Sequence, residues 1–182
     1  MRYCAWDIET SDLKADVGRL LCAVLYDPFK RRYQVFRNDQ LSTTMDNDKE
    51  LAIQLRDALE EYHITSGWYS KGFDITLLNT RLAKYGQRPL RRHLHIDGCW
   101  FMKGWRGLNP RSAKLKVAAE FFDLTDRKPD VDVYVWISAA LGGCTESMDI
   151  LVDRCKADAK ITAQVTDKLL DVGVIKNIQM YP

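Results

Sequence analysis

The chain has 182 residues, which suits one domain spanning 1–182 on a prior of roughly 150 residues per domain. Hydrophobic residues make up 46% and charged residues 29%, so disordered and fibrous classes are excluded. No apolar run reaches the ~18 residues of a membrane helix, and the acidic amino terminus argues against a signal peptide. The five cysteines contain no CxxC pair, which predicts reduced thiols in a cytoplasmic protein rather than disulfides or a zinc site.

The formal charge is +2, but it is unevenly distributed. Residues 81–128 carry a net charge of +8 and the remainder −6. A basic middle and acidic ends are typical of a protein that holds a polyanion over a metal-loaded site. A solvated surface of uneven charge explains the same numbers, so this pattern alone decides nothing.

In the first half, apolar stretches predict three strands at 3–8, 19–26 and 32–36. A helix follows over 46–63, then a strand over 64–68 and a helix over 73–85 that ends at Gly86. In the second half we expect a basic loop at 89–94 and a helix that Ser112 caps and that runs to 122. A polar break at 128–132, an apolar segment at 133–141 and a long helix from about 148 to 172 complete the chain. This order predicts an α/β fold with a mixed central sheet, three antiparallel strands and then parallel ones, flanked by helices.

The first candidate site is Asp7-Ile8-Glu9, because alternate side chains of a strand share one face. Two carboxylates about 7 Å apart raise each other's pKa unless a cation lies between them. Ligands that offer only oxygen suit Mg²⁺ or Mn²⁺. On its own, an acid that merely ends a strand is the commoner explanation.

Two further acids are candidates. Asp74, in GWYSKGFDITLL, follows a strand and a glycine-containing loop, where an acid also serves as a helix cap. Asp158, in RCKADAKITAQV, lies in the last helix beside the apolar positions Ala157, Ile161 and Val165. Its place at the core boundary suits a metal ligand.

Together these three segments resemble the DEDD (DnaQ-like) superfamily of 3′–5′ exonucleases, which has a ribonuclease H-like fold. WDIETSDL is similar to the first motif, GWYSKGFDITLL to the second and RCKADAKITAQV to the third motif of the tyrosine subgroup, which is related to family B DNA polymerase exonuclease domains. The resemblance covers nearly the whole chain. It implies that Asp7, Glu9, Asp74 and Asp158 hold two Mg²⁺ or Mn²⁺ ions for an in-line displacement.

The resemblance also implies a place for the terminal nucleotide. Thr10 is expected to offer its backbone N–H to the 3′ hydroxyl and Leu13 to wedge against the last base, although a loop leucine is as often a core residue. Phe73 is a candidate for stacking on a base, with packing under the sheet as the commoner role.

The third motif departs from the family pattern. The tyrosine subgroup's water-orienting position holds Arg154 and that of the histidine subgroup holds Asp153. Three accounts are open: Asp153 orients or deprotonates the water, Arg154 contacts the scissile phosphate while the metals alone activate water, or the chain is a weakened nuclease. We take Asp153 as the hypothesis to test.

Between 81 and 116, basic residues alternate with Trp100, Phe101 and Trp105, a pattern that suits a single strand with stacked bases. The sequence therefore predicts a free-standing, metal-dependent 3′–5′ exonuclease acting on single-stranded DNA, with RNA as a second substrate class. The alternatives are a structure-selective endonuclease of the same fold and a nucleic-acid-binding module with weakened catalysis. No membrane partner is expected.

Overall fold

The computed structural model describes residues 2–103, 107–142 and 144–181. Within them, six strands form one sheet in the order β3-β2-β1-β4-β5-β6. The strands are β1 Tyr3–Thr10, β2 Leu20–Asp27, β3 Arg32–Arg37, β4 Ile64–Gly67, β5 His93–Asp97 and β6 Gln179–Tyr181. The helices are α1 Asn38–Leu41, α2 Lys49–Glu60, α3 Asp74–Lys84, α4 Gly98–Phe101, α5 Leu115–Phe121, α6 Val133–Leu141 and α7 Thr145–Asp171.

The pairing confirms the predicted mixed sheet. β1 to β3 are antiparallel neighbours, and β4 and β5 continue the sheet as parallel strands beside β1. The prediction of a loop over 89–94 was wrong at its end, because β5 begins at His93. Polar β5 side chains are tolerated here, since His95 is buried with hydrogen bonds to Thr65 and Ser70. The short β6, antiparallel to β5, was not predicted.

The two faces of the sheet are covered by different helices. Cys4, Trp6 and Ile8 of β1 belong to the core packed under α2 and α3. Ala5 belongs to the core under α7. Because side chains alternate along a strand, the odd-numbered positions Asp7 and Glu9 face the side of α7.

Several helix starts differ from the prediction, and α2 begins at Lys49 instead of 46. α5 begins at Leu115, because Lys114 still has an extended backbone with φ −69° and ψ 142°. Ser112 is therefore not the cap residue, and its Oγ instead accepts the Lys114 N–H at 3.3 Å. α7 begins at Thr145, before the predicted 148. Among the described helices, none combines the length and apolar composition needed to cross a bilayer.

Candidate metal centre

Asp7 and Glu9 lie on the central strand of the sheet. β2 pairs with β1 at both positions, Val24 opposite Asp7 and Cys22 opposite Glu9. The Cys155 thiol of α7 also donates to the Asp7 carbonyl at 3.1 Å. Sheet pairing on the strand and packing from the helix therefore fix the backbone that carries both carboxylates.

Asp158 meets this pair from α7. Carboxylate oxygens of Asp7, Glu9 and Asp158 all lie within 4.8 Å of one another. Asp158 is only 3% exposed, because α7 lies against β1 and β2 with its apolar face. Residues far apart in the sequence thus form one acidic group, which contains three of the four acids that the resemblance indicates.

Asp74 is the first residue of α3 and is buried near this group. Among the described residues it is not one of the three whose oxygens meet within 4.8 Å. It nevertheless contributes to raising the pKa of Asp7. Burial raises the pKa of Asp74 itself to about 7, and the charges of Asp97 and Glu9 add to the rise.

Burial raises the pKa of all the carboxylates of the cluster, and repulsion between them adds to the rise at Asp7, Glu9 and Asp74. Desolvation raises the pKa of Asp7 well above its ordinary value, and the charges of Asp158, Asp74 and Glu9 raise it further. Desolvation also raises the pKa of Glu9 and of Asp158. The ionised carboxylates are therefore costly in this protein unless positive charge compensates them.

Three neighbouring side chains provide part of that compensation. The Lys128 ammonium contacts Asp158 Oδ2. Arg154 Nε lies 3.0 Å from Glu9 Oε1, an ion pair without an aligned hydrogen bond, and Trp136 Nε1 donates to Glu9 Oε2 at 2.9 Å. Sequence reasoning missed Lys128 and Trp136, because one lies in a polar break and the other in an apolar segment.

A buried carboxylate oxygen of the cluster has no hydrogen-bond partner among the described residues. Asp158 Oδ1 is buried and accepts no hydrogen bond from the described residues. A buried, unpaired carboxylate oxygen beside two further carboxylates is a ligand atom that a divalent cation satisfies. The donor set contains only oxygen, so the residues fit Mg²⁺ or Mn²⁺.

A cavity of about 580 Å³ adjoins Asp7 and Asp158. Three lysines, Lys114, Lys116 and Lys128, are among the residues that line it. Carboxylates and lysines thus line the same cavity. Such a cavity suits an anionic substrate that the lysines bind and that contacts a metal ion at the carboxylates.

The predicted substrate-binding residues have different surroundings. Thr10 is buried, and its hydroxyl donates to the Asp12 carbonyl at 2.9 Å. Leu13 is 78% exposed, so it is not a core residue and is accessible to a base. Phe73 packs against the core under the sheet.

Asp153 and Arg154 lie on different sides of α7. Five residues on a helix correspond to about 140° of rotation and four to about 40°, so Arg154 shares the face of Asp158 and Asp153 does not. Arg154 donates to the Pro129 carbonyl at 2.6 Å besides contacting Glu9. Asp153 has a 72% exposed side chain and pairs with Lys156 at 2.9 Å. The structure does not bring Asp153 to the cluster.

Several basic side chains between residues 81 and 116 already form ion pairs, so fewer of them can bind nucleic acid than the sequence indicates. Arg81 is completely buried in an ion pair with Asp48, and Arg88 and Arg111 pair with glutamates. Trp105 and Arg106 lie outside the described residues. The Trp100 side chain is exposed, whereas Phe101 packs partly buried against the core under the end of α7.

Comparison with known proteins agrees with this fold. The family model of the RNase H superfamily matches residues 4–170, so the chain belongs to that superfamily. None of the curated proteins compared with it matches.

Among solved structures, the family B DNA polymerase of the hyperthermophilic archaeon Pyrobaculum calidifontis is similar, with a TM-score of 0.75 and 18% identity. The similarity covers 96% of this chain and 25% of the polymerase chain, so this chain corresponds to about a quarter of the polymerase. The predicted ribonuclease H-like fold is confirmed by both comparisons, and membership of the RNase H superfamily supports a nuclease-type function.

Proposed function

We propose that the protein is a metal-dependent 3′–5′ exonuclease that hydrolyses phosphodiester bonds at the ends of single-stranded DNA. The observation that carries the proposal is the meeting of Asp7, Glu9 and Asp158 within 4.8 Å, beside a cavity lined by lysines. Membership of the RNase H superfamily supports the same class of reaction.

In this proposal Asp7, Glu9 and Asp158 hold the ions, with Asp74 as the fourth acid. Divalent ions held by these acids would supply the positive charge that activates water and neutralises the attacking and leaving oxygens. The carboxylates position the ions, and the lysines of the cavity bind the phosphates of the strand. Leu13 is accessible for contact with the terminal base.

Arg154 takes the place of a water-orienting tyrosine or histidine in this proposal. Its guanidinium lies against Glu9 and over the Trp136 ring at 5.1 Å, on the same face of α7 as Asp158. In the proposal this guanidinium contacts the scissile phosphate, the role that bidentate donors commonly have. Asp153 is not given this role, because its carboxylate faces the outer side of the helix and pairs with Lys156.

The test is digestion of a 5′-labelled single strand with Mn²⁺ or Mg²⁺. A descending ladder of products is expected, and the Asp7→Asn variant should abolish it. Asp153→Asn is the matched control, since it removes one exposed carboxylate from the same protein and should leave the rate within about threefold. Labelled RNA of the same sequence tests the sugar preference.

Other outcomes would reject this function. Cleavage of a circular single strand would indicate an endonuclease. Binding without cleavage, unchanged by Asp7→Asn, would indicate a nucleic-acid-binding module.

A further inference from the structure

A second cavity, of about 880 Å³, lies at the carboxyl ends of the parallel strands β4 and β5. Ligand pockets of this size are common, and this edge of a parallel sheet is where ligands bind in open α/β folds. The loop after β4, helix α4 and the carboxyl-terminal segment 174–181 form its walls. Its aromatic and cationic lining residues are Tyr69, Trp100, Phe101, Tyr181, Lys71 and Lys176.

The lining of this cavity favours a ligand that combines negative charge with aromatic rings. Lys176 is exposed, and Lys103 Nζ lies 5.0 Å from the Tyr69 ring centre and 5.8 Å from that of Trp100. Asp97 is the acidic residue among those lining the cavity, but its two oxygens accept the backbone N–H groups of Tyr69 and Lys71 at 2.9 and 3.0 Å. Aromatic rings and two lysines are thus prominent among the lining residues, and such groups match bases and phosphates.

Tyr69 joins this cavity to the metal centre, because it lines both cavities. Its backbone has φ 59°, a left-handed conformation that is uncommon for a bulky residue. The Tyr69 and Lys71 N–H groups donate to the Asp97 carboxylate, and Ser70 forms a 2.8 Å hydrogen bond with His95. These hydrogen bonds hold the loop in this conformation. Tyr69 is 49% exposed. Strain maintained by a buried polar network is a feature of ligand sites.

We propose that the cavity of Trp100 and Lys176 binds a nucleotide of the single-stranded substrate upstream of the one that enters the metal centre. This inference rests on the proposed exonuclease function and extends it, because it assigns the strand a second contact site across Tyr69. The strand then spans two cavities, and the second contributes to affinity for the polymer without touching the reacting bond.

The experiment compares two substrates of different length, a single nucleotide and a six-nucleotide strand. The p-nitrophenyl ester of thymidine 5′-monophosphate carries one nucleotide and reports on the metal centre alone, whereas 5′-labelled hexathymidylate is long enough to occupy both cavities. For Trp100→Ala we expect KM for hexathymidylate to rise about tenfold, the range of losing one stacked base, with kcat unchanged. Lys176→Gln should act in the same direction, and both variants should hydrolyse the ester within twofold of the parent.

Lys30→Gln is the matched control, because Lys30 is exposed in the distant turn between β2 and β3 and should change neither substrate. Unchanged KM for hexathymidylate in both cavity variants would overturn the inference. So would equal impairment of the ester and the polymer in proteins with parental melting temperatures. Inhibition of ester hydrolysis by thymidine 5′-monophosphate that Trp100→Ala relieves would assign the cavity to a free nucleotide instead.

Failure of the exonuclease function is distinguishable from failure of this inference. A parent protein that hydrolyses neither substrate would refute the function. Fluorescence anisotropy of labelled hexathymidylate with the Asp7→Asn protein then still tests the cavity. About tenfold weaker binding on adding Trp100→Ala supports the cavity, and equal binding refutes it.

Discussion

Asp7 illustrates a trade between stability and function at a single residue. Burial and the neighbouring acids raise its pKa, so its ionised form destabilises the metal-free fold, and this cost grows as the pH rises. We predict that Asp7→Asn raises the melting temperature in EDTA at pH 8 by about 3 °C, the equivalent of roughly 1 kcal/mol. The same change should lower nuclease activity more than about 100-fold.

Metal addition provides the second readout for this variant. Mn²⁺ should raise the melting temperature of the parent, because a ligand that binds only the folded state stabilises it. Asp7→Asn should lose most of that rise, and Asp153→Asn should keep it. An Asp7→Asn protein that melts below the parent in EDTA would contradict the electrostatic explanation.

Trp136 positions a proposed ligand without being one itself. Its indole N–H donates to Glu9 Oε2 at 2.9 Å, and Trp136→Phe keeps a ring while removing this donor. Groups that orient metal ligands typically contribute 10- to 100-fold in metal affinity or activity. We therefore expect Trp136→Phe to weaken Mn²⁺ activation about tenfold, measured as the metal concentration for half-maximal rate.

The control for this prediction is Tyr134→Phe, a change at a neighbouring, 72% exposed position of α6. It should leave the Mn²⁺ dependence unchanged. Equal effects of the two substitutions would mean that the helix, and not the bond to Glu9, is what matters.

His95 should make stability depend on pH. Burial lowers its pKa from 6.5 to about 3, and the charges of His93 and Lys71 act in the same direction. The folded protein thus keeps His95 neutral while the unfolded chain takes up a proton below pH 6.5. This contribution to stability is complete above pH 6.5 and is lost as the pH falls.

Between pH 7.5 and pH 5 the loss amounts to about 2 kcal/mol. Urea unfolding of the parent and of His95→Asn at the two pH values measures it. The parent should lose about 2 kcal/mol more than the variant on acidification. Parallel changes in both proteins would show that His95 does not titrate as its burial implies.

At the scale of elements, a buried ion pair connects α2, α3 and the loop before β2. Arg81 of α3 pairs with Asp48, which precedes α2, at 2.6 Å. Asp48 also accepts the Leu20 N–H at 2.7 Å, and Arg81 donates to the Ala15 carbonyl at 3.2 Å. Removing one partner leaves a buried charge uncompensated, so Arg81→Ala should cost about 3–5 kcal/mol.

Arg88→Ala provides the comparison for this prediction. Arg88 is partly exposed and pairs with Glu60, and surface pairs contribute about 0–1 kcal/mol. Urea denaturation of both variants measures the difference. Similar costs for the two substitutions would show that the buried pair does not hold these elements together.

The sequence predicts best those elements whose hydrophobic pattern matches their burial in the folded protein. β1 and β2 are mostly apolar and almost wholly buried near the sheet centre, and α7 carries one continuous buried face. β5 was missed because HLHID looks polar, although its histidines are satisfied by Thr65 and Ser70. The three-residue β6 depends on its pairing with β5, so no local sequence pattern predicts it.

Part of the candidate site could likewise be predicted from the sequence, and part could not. Asp7 and Glu9 follow from strand alternation, and the family pattern indicated that Asp158 joins them. The relative directions of Asp153 and Arg154 depend on helix phase. Lys128 and Trp136 reach the acids only through tertiary folding, so no spacing rule locates them.

At the scale of the whole molecule, the charge distribution predicts how nucleic acid is bound. Lysines line the cavity beside the acids and the cavity beside Trp100, while Arg81, Arg88 and Arg111 are occupied by internal ion pairs. The number of phosphates contacted should therefore be small compared with the +8 of residues 81–128. Each phosphate neutralised on a single strand contributes a slope of about −0.7 to the plot of log affinity against log salt.

Four phosphate contacts would lower affinity about 50-fold between 50 and 200 mM salt. Fluorescence anisotropy of a labelled single strand with the Asp7→Asn protein measures this slope without cleavage. Lys114→Gln should reduce the slope by about 0.7, because it removes one cation from the cavity wall, whereas Lys30→Gln should leave it unchanged. A flat salt response would mean that the lysines of the two cavities do not bind phosphate, and that the acidic cluster faces a substrate of another kind.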